Sequence, residues 1–193
     1  VIVGLYTIKI LRSKQNDRKS AKHKYDWFIV QRLMILAVVL FVISGITADI
    51  TGKYLAKHEP SKLAALELQY QTGPNAPLLI GGVATVNESI KGPHFTIPNG
   101  LSVLAGNTPD TVVNGLNEYN KDELPPLYIH TIFDIKMTII TFLVIVFILY
   151  FGLKRWKPEI RYKSYFLLPL TILGLLGIAL VELGWMMTEI GRQ

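Results

Sequence analysis

Three apolar runs set the pattern of the chain. Trp27 to Ala48 is interrupted only near its start, by Gln31 and Arg32, and is long enough to cross roughly 30 Å of hydrocarbon as a helix. Ile129 to Phe151 is the second run. Its β-branched clusters (Ile139-Ile140-Thr141, Val144-Ile145-Val146) disfavour helix in water but suit a lipid setting, where the backbone must satisfy its own hydrogen bonds. Tyr165 to Met187 is the third, with Pro169 in its first turns, where a missing N–H costs least, and Gly174 and Gly177 offering a surface for close packing. A shorter run, Val1 to Ile10, cannot span on its own and reads as part of a further membrane helix.

The polar stretches order these runs. Arg12, Lys14, Arg18, Lys19, Lys22 and Lys24 precede the first full span, and Lys154, Arg155, Lys157, Arg161 and Lys163 separate the last two. Excess Lys and Arg in short loops marks the cytoplasmic side, so both loops are expected inside and the long stretch from Asp49 to Tyr128 outside. The predicted fold is an all-α membrane protein, a multi-spanning transmembrane helix bundle with a long extracytoplasmic loop. In order, this gives a partial transmembrane helix over 1–11, a basic cytoplasmic loop over 12–26, and a span over 27–48. The outer loop covers 49–128, and a span over 129–152, a basic loop over 153–164 and a span over 165–189 follow. Residues 190–193 are expected to be the start of a truncated outer segment.

A connection of about eighty residues is too long for a plain linker and is expected to have structure and a task of its own. Pro60 to Tyr70 predicts a short helix: Pro60 suits a first turn, Leu63, Leu66 and Tyr70 recur at helical spacing, and Gly73-Pro74 ends it. Beyond it, Gly81-Gly82, Gly92-Pro93, Pro98-Asn99-Gly100 and Gly106-Asn107 predict turns and short helices.

Composition agrees with membrane residence: half of the residues are hydrophobic, and mean hydropathy is +0.35. The net charge of +6 lies in the clusters between apolar runs and forms no basic face suited to nucleic acid, so no nucleic-acid partner is expected. With no cysteine there is no thiolate site or nucleophile, and metal chemistry would have to use His, Met or carboxylate ligands. The four histidines show no ligand spacing of the H-x-x-x-H kind, and no phosphate loop, nucleophile elbow or EF-hand pattern occurs.

Three stretches in order resemble subunit I of the cytochrome bd quinol oxidases. Glu59-Pro60-Ser61-Lys62-Leu63-Ala64-Ala65-Leu66-Glu67 is similar to the family's quinol-loop motif, in which a Lys and a Glu five residues apart are tied to quinol oxidation. Pro125-Pro126-Leu127-Tyr128, leading into Phe133-Asp134-Ile135-Lys136-Met137, resembles the start of the helix that carries the methionine ligand of low-spin haem b. Val181-Glu182-Leu183-Gly184-Trp185 followed by Glu189-Ile190-Gly191-Arg192-Gln193 resembles the E-x-G-W and G-R-Q-P-W signature. The resemblance implies a quinol:dioxygen oxidoreductase in a multi-pass protein of a prokaryotic cell membrane. Its implied cofactors are low-spin and high-spin haem b and haem d. Its implied partners are a second subunit (subunit II), small accessory subunits, membrane quinol, dioxygen and the lipid bilayer. The family's histidine ligands would lie on helices before Val1.

Residue by residue, Lys62 and Glu67 stand roughly 140° apart on their helix and are not an i,i+4 pair. By themselves they fit a solvated helix; the resemblance makes Glu67 the acceptor of a quinol proton and Lys62 the donor that orients the ring oxygen. Glu182 sits inside an apolar run, where a carboxylate is costly and marks a proton path, an ion site or a metal ligand. The resemblance makes it the axial ligand of high-spin haem b, and Met137 the thioether ligand of low-spin haem b. Trp185 is either an interfacial anchor or a cofactor-packing residue, and Arg192 belongs to the same cofactor-binding signature. Asp134 and Lys136 are candidates for pairing with haem propionates or for snorkelling to the interface. The competing reading is a transporter or channel subunit in which Glu182, Asp134 and Lys136 form an ion or proton path.

Overall fold

A computed structural model describes residues 2–12, 20–84, 90–156 and 164–190. The elements are α1 (Ile2–Arg12), α2 (Ala21–His58), α3 (Pro60–Glu67), β1 (Leu78–Ala84), β2 (Ile90–Ile97), α4 (Gly100–Gly106), α5 (Ile129–Trp156) and α6 (Ser164–Ile190), with short 3-10 turns at Leu116–Glu118 and Lys121–Glu123. Among the described residues three helices, α2, α5 and α6, are long and apolar enough to cross a membrane. Helix α2 runs past its apolar stretch at both ends, because nothing between Ala21 and His58 breaks a helix and Asp49 and Lys53 pair at i,i+4 in its polar continuation.

By its contacts the chain divides into two compact units. The first comprises Val1–Ile43 and Thr138–Glu182. Its core joins Ile10, Trp27, Val30, Met34, Tyr150 and Leu170 from four helices. Gly4 lets α1 approach α6 closely: a Cβ there would stand 2.7 Å from the carbonyl oxygen of Thr171. Much of the apolar surface of these helices faces outward, as at Val39 and Leu40 of α2, Ile148 of α5 and Leu175 of α6. Such a surface is at home in lipid or against other membrane helices.

The second unit comprises Ser44–Met137 and Leu183–Gln193. Within it, Ala64, Ala65 and Leu66 of α3 pack with Leu116 and Ile129, flanked by Phe133, Met187 and Ile190. A second cluster joins Leu63, Ala76, Leu101 and Val113. Ser102 ties this cluster together, accepting from the Ala76 N–H at 2.8 Å and donating to the Thr111 carbonyl at 2.8 Å.

Two features depart from the sequence expectation. The long loop contains an antiparallel β-hairpin, β1 with β2, where only turns and short helices were expected. Its pairing slips between Gly81 and Val83, and Gly81 and Gly82 take positive φ (83° and 89°), so β1 bends at a bulge that only glycine adopts without strain. Helix α3 ends at Glu67 and not near Tyr70, because Leu68 caps it in the left-handed conformation (φ 48°).

Candidate functional site around Glu67 and His130

The site grows from the last turn of α3. Leu63 through Glu67 are all buried, so this helix shows no solvated face, and Glu67 is carried inward with the alanines and leucines before it. Glu67 is only 2% exposed. Its Oε2 has no hydrogen-bond partner among the described residues. Burial is the main force on its proton affinity, with the nearby negative charge of Asp134 adding to it and a backbone hydrogen bond from Leu79 opposing it. Together they push the carboxyl from 4.5 up to about 8. At neutral pH Glu67 therefore holds its proton, and its affinity lies close to physiological pH, the range in which a side chain can take up and release a proton in turnover.

The opposite wall comes from the first turns of α5. His130 is fully buried. Its Nδ1 donates to the carbonyl oxygen of Leu66, the residue before Glu67. Its Nε2 faces the carbonyl of Gly81 at 3.3 Å and Asp134 Oδ2, one turn on along α5, at 3.2 Å. The same Asp134 oxygen accepts the Gly81 N–H at 2.9 Å. One imidazole thus joins α3, β1 and α5 beside the buried carboxyl.

The sequence-derived residues fall in different settings. Lys62 is largely shielded, with a side chain 14% exposed, and its Nζ lies 3.3 Å from Glu59 Oε2. Lys62 and Glu67 are on one helix but make no pair, as their spacing required. Asp134 is held by His130 and Gly81. Met137 is 39% exposed and Trp185 is 63% exposed. Glu182 is exposed too, on the apolar helix α6, with neither a hydrogen bond nor an ion pair among the described residues. Arg192 lies outside the described residues, as do the basic positions from Lys157 to Lys163.

His130 is not among the candidate residues of the sequence, where it counts only as one of four histidines without ligand spacing. The signal was its i,i+4 spacing to Asp134, a pairing distance on any helix.

Haem is the cofactor that the sequence motifs imply, and the donors fit it. A carboxylate left open on an apolar helix matches a ligand for ferric iron, and a thioether matches low-spin haem. Beside α6 there is room: a Cβ on Gly184 would meet only the Lys136 ammonium, at 3.9 Å. Among the described residues no three His, Asp or Glu side chains gather into a separate metal site.

All of the chain, residues 1–193, matches the family described as cytochrome bd terminal oxidase subunit I. The chain belongs to that family. It is 29% identical, over its whole length, to a chain of Bacillus subtilis (strain 168) described as a candidate cytochrome bd menaquinol oxidase subunit I, and covers 43% of that chain. The bd oxidase structure from Geobacillus thermodenitrificans superposes with a TM-score of 0.81 at 34% identity, covering 99% of this chain and 44% of its counterpart. The chain therefore spans less than half the length of these relatives. As a bd-family subunit with three described helices long and apolar enough to cross a membrane, it is a multi-pass membrane protein of a prokaryote.

Proposed function

We propose that this chain is the part of a cytochrome bd-type quinol:dioxygen oxidoreductase that binds and oxidises membrane quinol and supplies haem ligands. The observation that carries the reading is Glu67: a buried carboxyl with an unbonded oxygen and a proton affinity near 8, inside a motif that resembles the family's quinol loop. Support comes from the relative named for menaquinol oxidation.

Oxidising a quinol releases two protons with two electrons, so the site needs a base whose affinity lies near ambient pH. In its ionised form Glu67 takes a hydroxyl proton: the quinol O–H bond breaks and an O–H bond forms on the carboxylate. Lys62 donates a hydrogen bond that orients a ring oxygen. The apolar wall of Ala64, Ala65, Leu66 and Leu116 keeps water from the carboxyl. Met137 and Glu182 would hold low-spin and high-spin haem b, with Trp185 and Arg192 at the same cofactor. Bound haems b and d supply the electron acceptors and the place where dioxygen becomes water.

The loop lies outside the cytoplasm in this reading, and the rest of the assembly, a second subunit and small accessory subunits, covers the outward apolar helix faces. The transporter alternative is not adopted, because Asp134 is committed to His130 and Gly81 and because the family to which the chain belongs is named for a terminal oxidase. The deciding experiment is quinol-driven oxygen consumption by the full-length protein in its membrane, with Glu67→Gln beside the parent. Undiminished turnover per haem in the variant would overturn the reading.

A further inference from the structure

We propose that His130 and Asp134 form a charge-setting pair for Glu67: positioning residues that hold its helix end in place and fix the pH range in which it works as a base. The proposal rests on the quinol-site reading above and adds two residues to it.

The geometry assigns the charges. His130 Nδ1 faces the carbonyl oxygen of Leu66, which can only accept. Nε2 faces the carbonyl of Gly81 and an Asp134 oxygen that already accepts the Gly81 N–H. With acceptors at both nitrogens, the ring meets every contact when both nitrogens carry hydrogen, as imidazolium beside a carboxylate. The ring is fully buried, so it exchanges none of these contacts for water.

Among the charged groups around Glu67, Asp134 is the one that acts on its proton affinity, after burial itself. On its own helix, Lys62 is turned to Glu59. Strand β1 offers only backbone groups, the Leu79 hydrogen bond among them. From α6, Met187 and Ile190 pack the cluster next to it, with Glu189 between them in sequence, and Tyr70 flanks the same cluster beyond α3. From α5 come His130 and Asp134, and Asp134 is the charge that raises the affinity of Glu67. Because His130 offsets Asp134, the two residues have opposite effects on Glu67, although they make one hydrogen-bonded unit. A purely structural pair would not behave in this way.

The test is the pH profile of quinol oxidation in the full-length complex, with haem content checked by its spectrum. In the parent, turnover rises with pH through about 8 as Glu67 ionises. Asp134→Asn removes the repelling charge, and its rising limb moves toward acid by about one unit, a tenfold change in the proton affinity of Glu67. His130→Gln leaves Asp134 uncompensated, and its limb moves toward alkaline pH. The infrared C=O band of the protonated Glu67 carboxyl, titrated in the same proteins, reads the shift even where a variant turns over slowly. Limbs that stay in place, or that move in the same direction, overturn the proposal. The Glu67→Gln control separates the two claims: if it abolishes turnover while the other variants leave the profile unmoved, only the charge-setting role falls. If it leaves turnover intact, the quinol-site reading itself falls.

Discussion

The carbonyl of Leu66 accepts a hydrogen bond from His130 Nδ1 across 64 positions of the chain, fixing the end of α3 against the first turn of α5. The neighbouring side chain, Glu67, is thereby held in an apolar wall where its charge is unfavourable. Both its chemistry and its effect on stability follow from that placement.

Replacing Glu67 with Gln keeps the shape and removes the base. Quinol oxidation is expected to fall by about 100-fold, the low end of what a positioned general base contributes, while the haem bands keep their intensity. Lys62→Ala is expected to weaken quinol turnover less, with the same intact spectrum. Turnover per haem against quinol concentration checks both. Loss of haem with normal turnover in what remains would assign these residues elsewhere.

Glu67 also makes the loop sensitive to alkali. The folded loop keeps a proton that the unfolded chain releases above about 4.5, so its stability is full below that pH, falls as pH rises and levels off above about 8. A shift of that size corresponds to something on the order of 5 kcal/mol across the window. Limited proteolysis at pH 6 and pH 9 should show the parent loop cut faster at the higher pH and Glu67→Gln indifferent to the change. Equal pH sensitivity in both would disprove the linkage.

Gly81 meets two demands at once. Its φ of 83° disfavours any side chain, and a Cβ would stand 2.8 Å from the Pro93 carbonyl oxygen. Gly81→Ala is therefore expected to distort the bulge whose N–H and C=O contact Asp134 and His130. Quinol turnover should fall together with protease resistance of the loop, with the haem spectrum kept.

On α6, Glu182 and Glu189 lie seven residues apart, two turns or about 10 Å along one face. Glu182→Ala is expected to remove or convert the high-spin haem b signal and depress oxygen reduction, leaving low-spin haem b reducible by quinol. Glu189→Ala is the matched comparison. If the high-spin signal follows Glu189 and ignores Glu182, the ligand belongs two turns further along the helix.

Topology can be read directly because this chain contains no cysteine. A cysteine at Asn107 should react with an impermeant reagent in intact cells, and one at Lys22 should react only after permeabilisation. The reverse pattern would place the loop in the cytoplasm and remove it from the proposed quinol site.

The spans were legible because lipid demands long uninterrupted apolar runs, and α2, α5 and α6 supply them. The hairpin was not. β1 reads Leu-Leu-Ile-Gly-Gly-Val-Ala, without alternation and with two glycines that look like turn residues, and β2 carries Pro93, which marks an edge strand only once its partner is known. The choice of Lys62 and Glu67 as candidates came from resemblance to a motif. That Glu67 is buried could not be read from its neighbours, since the unbroken buried run from Leu63 to Glu67 leaves no amphipathic stripe to point inward. His130 gains its meaning from Leu66 and Gly81, contacts 64 and 49 positions away that no local pattern encodes.

The contact between Leu66 and His130 also imposes an order on biogenesis. The loop leaves the ribosome before α5, so α3 and β1 exist for a time without the imidazole that joins them. Until α5 is made and its first turn is seated, Glu67 has no Asp134 beside it, and Gly81 lacks both of its side-chain partners. The proposed site therefore lacks its α5 residues until that helix has been made, so a nascent chain stalled before Ile129 carries the loop residues without His130 and Asp134.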